Sequence, residues 1–205
     1  MKNIFFSPIQ FSKIHTAYLK GIGILLILFH NFFHWVNPST GENEFDFWSE
    51  RVNQFFSLIA ANPLETINIL FSFLGHFGVQ LFIFISGYGL VKAYKSNTKW
   101  IVYVKTRVLK IYPSFLAGIF VLFLTAIFLS QGFPNNRWLV QIAYKLLFIH
   151  TLIPGEALSI NGPWWFYGLI FQLYLIFPFL YKTIEKYGVK AFFILCTISY
   201  FLIFI

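Results

Sequence analysis

The feature that most limits what this chain can fold into is the length of its apolar runs. "LKGIGILLILFHNFFHWV", from Leu19 to Val36, is one of several that reach 17 residues or more. A helix of about 20 residues crosses the roughly 30 Å hydrocarbon layer of a bilayer. Inside that layer every backbone N–H and C=O must find its partner within the protein, and helices do this locally. The expected fold is therefore all-α, a polytopic transmembrane helix bundle. Composition agrees: 58% of the 205 residues are hydrophobic and only 11% charged, against about half and a quarter in an ordinary soluble domain.

Apolar patterning predicts about five spans, near 17–37, 76–94, 111–131, 163–181 and 189–205. Two shorter stretches are ambiguous. "LETINILFSFLG" (64–75) reads as a short interfacial helix or as the start of the second span. "WLVQIAYKLLFIHTL" (138–152) carries Gln141 and Lys145 one turn apart, a stripe that suits an interfacial or re-entrant helix. No repeat or linker interrupts the chain, so residues 1–205 read as a single membrane domain. The first run is followed by "NPSTGENE" rather than an A-x-A-like cleavage site, and it is expected to stay as a span.

The net charge of +8 would suit nucleic acid, but the positive-inside rule accounts for it without a nucleic-acid partner. With a cytoplasmic N-terminus, Lys2, Lys13, Lys20, Lys92, Lys95, Lys99, Lys105, Arg107, Lys110, Lys182, Lys186 and Lys190 fall on the inner side. Arg51, Arg137 and Lys145 fall outside, a split of 12 to 3. The loop after the first span holds Glu42, Glu44, Asp46 and Glu50, which is compatible with the outer side. The sole cysteine, Cys196, lies in an apolar run and says nothing of redox compartment.

Polar groups inside the spans point to chemistry. From Lys20, a helix carries His30 about 15 Å along its axis and roughly 80° around, and His34 about 21 Å along. His30 and His34 lie one turn apart on one face, opposite Ile, Leu and Phe. Lys20 could snorkel to one headgroup layer and His34 reach the other. His30 is deeper, and ionisable groups at that depth are functional by default. Two histidines one turn apart could ligate zinc, but no nearby Cys, Asp or Glu completes such a site, so no metal is expected.

Three further pieces carry candidates. "KAYKSNTKWIVYVKTRVLKIYP" is basic and aromatic, and as a helix it gathers Lys99, Arg107 and Lys110 in one sector. It reads either as a surface helix on anionic lipid or as a phosphate site, with Pro113 opening the next span. In "FIFISGYGL", Ser86 and Gly87 permit close helix packing or leave backbone open to a ligand. In "NGPWWFYGLIFQLYLIFPFLY", Gln172 is expected to bond a neighbouring element.

In order, "LKGIGILLILFH", "GVQLFIFISGY", "KTRVLKIYP" and "WWFYGLIFQLYLIFP" resemble the acyltransferase-3 family of integral membrane O-acyltransferases, from about Lys13 to Pro178. The resemblance implies transfer of an acyl group, often acetyl, from acyl-CoA to a hydroxyl of a cell-surface or lipid-linked glycan, in the inner membrane of a bacterium-like cell. It implies a basic residue and a catalytic histidine in the first span. Lys20 matches the basic position, commonly arginine. The usual histidine position is Asn31, so His30, one residue earlier, becomes the first choice as base and His34 the second. The basic segment maps onto Arg107 and Lys110. The family's acidic residue in the second motif is Gln80 here, and Ile170 and Phe171 stand where the fourth motif has Glu, departures that fit a divergent branch. Family members have roughly ten spans, so the bundle is expected to be incomplete, the N-terminal part of a longer protein. The partners expected are the bilayer and a glycan acceptor. The rival class is an exporter of a lipid-linked saccharide or a non-catalytic membrane partner, against which the lack of a visible internal repeat counts weakly.

Overall fold

A computed structural model describes residues 11–39, 49–95, 97–129 and 135–202. Lys2, the acidic residues Glu42, Glu44 and Asp46, and positions 203–205 lie outside the described residues. The protein is all-α as expected, 82% helical, with no strand among the described residues. The helices are α1 (Lys13–Phe33), α2 (Glu50–Ala61), α3 (Thr66–Leu74), α4 (Phe77–Ala93), α5 (Trp100–Phe128), α6 (Asn136–Leu146), α7 (Trp165–Tyr187) and α8 (Val189–Leu202). Packing divides the chain into two compact units, Met1–Ala93 and Tyr94–Ile205.

Among the described residues three segments are long and apolar enough to cross a membrane: Lys13–Phe33, Trp100–Phe128 and Gly162–Tyr187. A fourth exists if α2 and the Pro63–Leu74 segment, bent by 113° at their junction, count as one broken span. The expected spans at 76–94 and 189–205 are helices of 17 and 14 residues. At 1.5 Å per residue α4 extends about 25 Å, near the lower end of spanning lengths, and the described part of α8 about 21 Å. Stretch 64–75 forms the 3-10 turn Pro63–Glu65 and α3, separate from α4.

The basic stretch before Pro113 is not a helix of its own. It is the first part of α5, a single helix of 29 residues with Pro113 in its interior rather than at its start. Pro113 costs one backbone bond, to the Leu109 carbonyl, a loss that membrane helices tolerate. Tertiary contacts hold the segment before it in line. The Trp100 indole donates to the Leu175 carbonyl at 3.0 Å, and Tyr103 stacks on Phe177 at 5.8 Å.

In the first unit, α1 shows one face to its surroundings through Tyr18, Ile22, Leu25, Leu28 and Phe32, each at least half exposed. The opposite face, with Gly23 and His30, is buried against α3 and α4. Lipid gives no hydrophobic force between helices, so close contact needs small residues. A Cβ on Gly78 would lie 2.5 Å from the Gly23 carbonyl oxygen and 2.8 Å from Leu26 Cβ. Gly87, the expected packing glycine, has nothing within 4 Å of such a Cβ; the helix crosses α1 nearer its N-terminal end. Gly78→Ala should therefore destabilise the protein by about 1–3 kcal/mol, while Gly87→Ala should leave the thermal midpoint in detergent within a degree or so. Equal midpoints for the two variants would show that the α1–α4 crossing is not set by Gly78.

Candidate functional site

His30 is 4% exposed and sits where α1 meets the end of α3. The last carbonyls of a helix lack intrahelical donors. Ser72, in the last turn of α3, has its carbonyl filled by His30 Nδ1 at 2.7 Å. A carbonyl can only accept, so Nδ1 carries the proton, and in the neutral ring the lone pair is on Nε2. The approach depends on Gly75, where a Cβ would come within 2.7 Å of His30 Cβ and of the Leu26 carbonyl oxygen.

Two more histidines surround this ring. His34, half-buried, stacks on it with centroids 5.5 Å apart and donates from Nδ1 to the His30 carbonyl at 2.9 Å. That bond likewise leaves the lone pair of a neutral ring on Nε2. His76 meets His30 edge-on at 5.6 Å. His76 was not singled out in the sequence, because 76 read as the first residue of a span. Its one available signal was position: a polar ring directly after a glycine, at a break between two apolar helices. Among the described residues no three His, Cys, Asp or Glu side chains gather as a metal site requires.

The other candidates are placed differently. Lys20 lies ten residues before His30 on the same helix, about 15 Å away along the axis, with its ammonium 5.9 Å from the Phe82 ring centre. It is not brought to the histidines. The Asn31 amide turns back to the Ile27 carbonyl at 2.8 Å. Ser86 is half-buried on α4.

The second unit holds the cations of the basic motif. Arg107 is half-buried, with its guanidinium carbon 5.3 Å from the Tyr103 ring centre. Its Nε is buried and makes no hydrogen bond. Lys99 and Lys110 are exposed. An arginine held against an aromatic ring with an unused donor, flanked by two exposed lysines, is a donor set that fits a phosphate-bearing ligand.

The same unit contains a polar cluster on the stretch that reads in the sequence as an interfacial or re-entrant helix. Lys145 and His150 are fully buried. α6 turns its Gln141–Lys145 stripe inward: the Gln141 amide donates to the Glu156 carboxylate at 2.9 Å, and the Lys145 ammonium reaches the Ala157 carbonyl at 3.4 Å. His150 Nε2 donates to the Trp164 carbonyl at 3.1 Å. Gln172 bonds Thr151 at 2.7 Å, as expected of a buried glutamine. Gly168 admits this loop to α7, since a Cβ there would lie 2.8 Å from Thr151 Oγ1.

Burial lowers the Lys145 pKa to about 8, against a smaller opposing pull from Glu156. Burial, and then the charge of Lys145, also lowers the His150 pKa. Between pH 8 and the usual lysine value the unfolded chain binds a proton that the folded chain lacks, so stability should rise with pH across that window. Below pH 8 both states carry the charge and the burial penalty is felt in full. Lys145→Met should raise the thermal midpoint at pH 7 and flatten the climb between pH 8 and 10. A wild-type midpoint that is flat over that window would contradict a desolvated Lys145.

The comparison with protein families returned one described as an acyltransferase domain, matching residues 17–205. Neither the comparison with curated proteins nor that with solved structures returned a match. The matched stretch contains the histidine cluster, the basic segment, the second and third long apolar helices whole and the first from residue 17 on. The chain belongs to the acyltransferase-3 family, and it is a multi-pass membrane acyltransferase.

Proposed function

We propose that the protein moves an acyl group, acetyl first among the candidates, from acyl-CoA to a hydroxyl of a cell-surface or lipid-linked glycan, in the inner membrane of a bacterial cell with its N-terminus in the cytoplasm. The observation that carries this reading is the hydrogen bond between His30 Nδ1 and the Ser72 carbonyl. It fixes the tautomer and orientation of a buried imidazole whose Nε2 can act as a base. In the proposed reaction Nε2 takes the proton of the acceptor hydroxyl as that oxygen attacks the thioester carbonyl. The carbon–sulfur bond breaks, and the proton on His30 passes to the departing thiolate. His34, stacked on His30, supports the ring and stands second as the base.

The donor's phosphates fit Arg107, whose Nε has no partner, together with Lys110 and Lys99. Charge-assisted contacts of this kind contribute about 1.5–3 kcal/mol each. Lys20 lies too far along α1 to serve the histidines and belongs instead to the membrane anchoring of that helix.

The test uses purified protein, labelled acetyl-CoA and a membrane glycan extract. His30→Ala should lower transfer by about 10²–10⁴-fold without changing CoA binding, and His34→Ala should lower it by less. Full transfer by His30→Ala would remove this ring from the mechanism. Arg107→Ala should raise the KM for acyl-CoA about tenfold, corresponding to roughly 1.4 kcal/mol, with kcat little changed. An unaltered KM would return the basic segment to a lipid-surface role.

A further inference from the structure

The second unit holds two buried polar atoms, on adjacent side chains, that its own packing leaves unused. Tyr103 and Arg107 stand one turn apart on α5 and so share a face. The Arg107 guanidinium carbon lies 5.3 Å from the Tyr103 ring centre. The Tyr103 hydroxyl and Arg107 Nε are both buried, and neither makes a hydrogen bond. The two side chains act on each other electrostatically, but the hydroxyl does not reach hydrogen-bonding geometry. Tyr174, on α7, also lies within reach of the Arg107 charge, yet its hydroxyl is not one of the buried unpaired atoms.

Tyr103 is held in place. Its ring is 5% exposed, meets Tyr94 edge-on at 5.3 Å and stacks on Phe177 of α7 at 5.8 Å. Tyr94 is itself packed on Phe177 and Tyr181. The position of the hydroxyl is thus set before a ligand arrives, and the ring contact sets that of the guanidinium with it.

For this packing alone a phenylalanine would serve better. Buried tyrosine hydroxyls normally find a partner, and one left without a partner is destabilising. A charged donor left unpaired is more so. Both penalties vanish together if one acceptor serves both groups. The guanidinium edge of Nε and Nη gives two parallel donors, and the phenol gives a third. A phosphate monoester has three terminal oxygens, whereas each phosphorus of a pyrophosphate bridge has two. Coenzyme A carries both kinds of group, the monoester being on its ribose.

We propose that Tyr103 sets the specificity of the donor site: its hydroxyl and the Arg107 guanidinium together bind the ribose phosphate monoester of acyl-CoA. The proposal rests on the acyl-CoA reading and names which of the donor's phosphates Arg107 takes. Lys99 and Lys110, exposed on the same segment, are then left for the pyrophosphate.

The experiment compares binding of acetyl-CoA and acetyl-dephospho-CoA to the purified protein in phosphatidylcholine nanodiscs. The second thioester lacks the monoester and keeps the pyrophosphate. The unaltered protein should bind acetyl-CoA about tenfold more tightly than the dephospho form. Tyr103→Phe should weaken acetyl-CoA about tenfold and leave acetyl-dephospho-CoA within about twofold. The same variant should raise the thermal midpoint measured without thioester, because the unpaired hydroxyl is gone. A lower midpoint with equal loss for both thioesters is what a purely structural hydroxyl would give, and it overturns the proposal. Arg107→Lys keeps the charge but not the planar fork, and it should also erase the preference; a preference that survives it overturns the proposal. Equal affinity of the unaltered protein for the two thioesters would overturn the proposal and keep the acyl-CoA reading, while binding of neither would overturn both. Phosphatidic acid bears a monoester too. If adding it to the nanodiscs abolishes acetyl-CoA binding where phosphatidylglycerol does not, the site belongs to a lipid headgroup and the proposal falls.

Discussion

The hydrogen bond between the His30 ring and the Ser72 carbonyl ties the chemistry of the first unit to its packing. It requires that the end of α3 lie directly against α1, and that contact exists because Gly75 and Gly78 have no side chains to hold the helices apart. It also requires a carbonyl without a donor of its own, which the last turn of a helix supplies. Break the helix elsewhere, or put a methyl group on either glycine, and the imidazole loses its orientation. The break that ends α3 is thus what orients the His30 ring, and it brings His76 to the same place.

The sequence conveyed the helical class and the histidine pair well, because both depend on local periodicity. Apolar run length marks membrane helices irrespective of tertiary contacts, and His30 and His34 are neighbours on any helix. What it conveyed poorly depends on where separate helices meet. His76 joins His30 across 46 positions, and nothing in the local pattern of either announces the other. Lys20 shared an angular sector with the histidines, yet sector alone ignores the rise along the axis. Lys145 looked like one edge of an interfacial stripe because its partners, Glu156 and Ala157, come from a loop beyond the helix. Pro113 read as a helix start because proline usually is one; here Trp100 and Tyr103 anchor the segment before it strongly enough to carry the helix through.

The two units handle polar groups differently. In the first, three imidazoles gather and meet through ring contacts. In the second, Lys145, Glu156, Gln141, Thr151 and Gln172 form contacts that fasten α6 and the following loop to α7. A buried ammonium with one long hydrogen bond is a costly fastening. It does define a single register for the loop, since sliding α6 by one residue would strand the charge.

The length of α5 has its own consequence. Its 29 residues extend about 44 Å, whereas hydrocarbon covers only about 30 Å. All of its charged residues, Lys105, Arg107 and Lys110, fall in the first 11 positions, and none follows Pro113. About nine residues must overhang the bilayer, and the overhang is the basic end. The helix is then a rod of fixed length whose cationic tip rises or sinks as the membrane thins or thickens. A bilayer thicker by a few ångströms would draw the Arg107 turn down among the lipid headgroups, where their phosphates compete for it. Membrane thickness thereby sets how deeply that cationic turn sits among the headgroups.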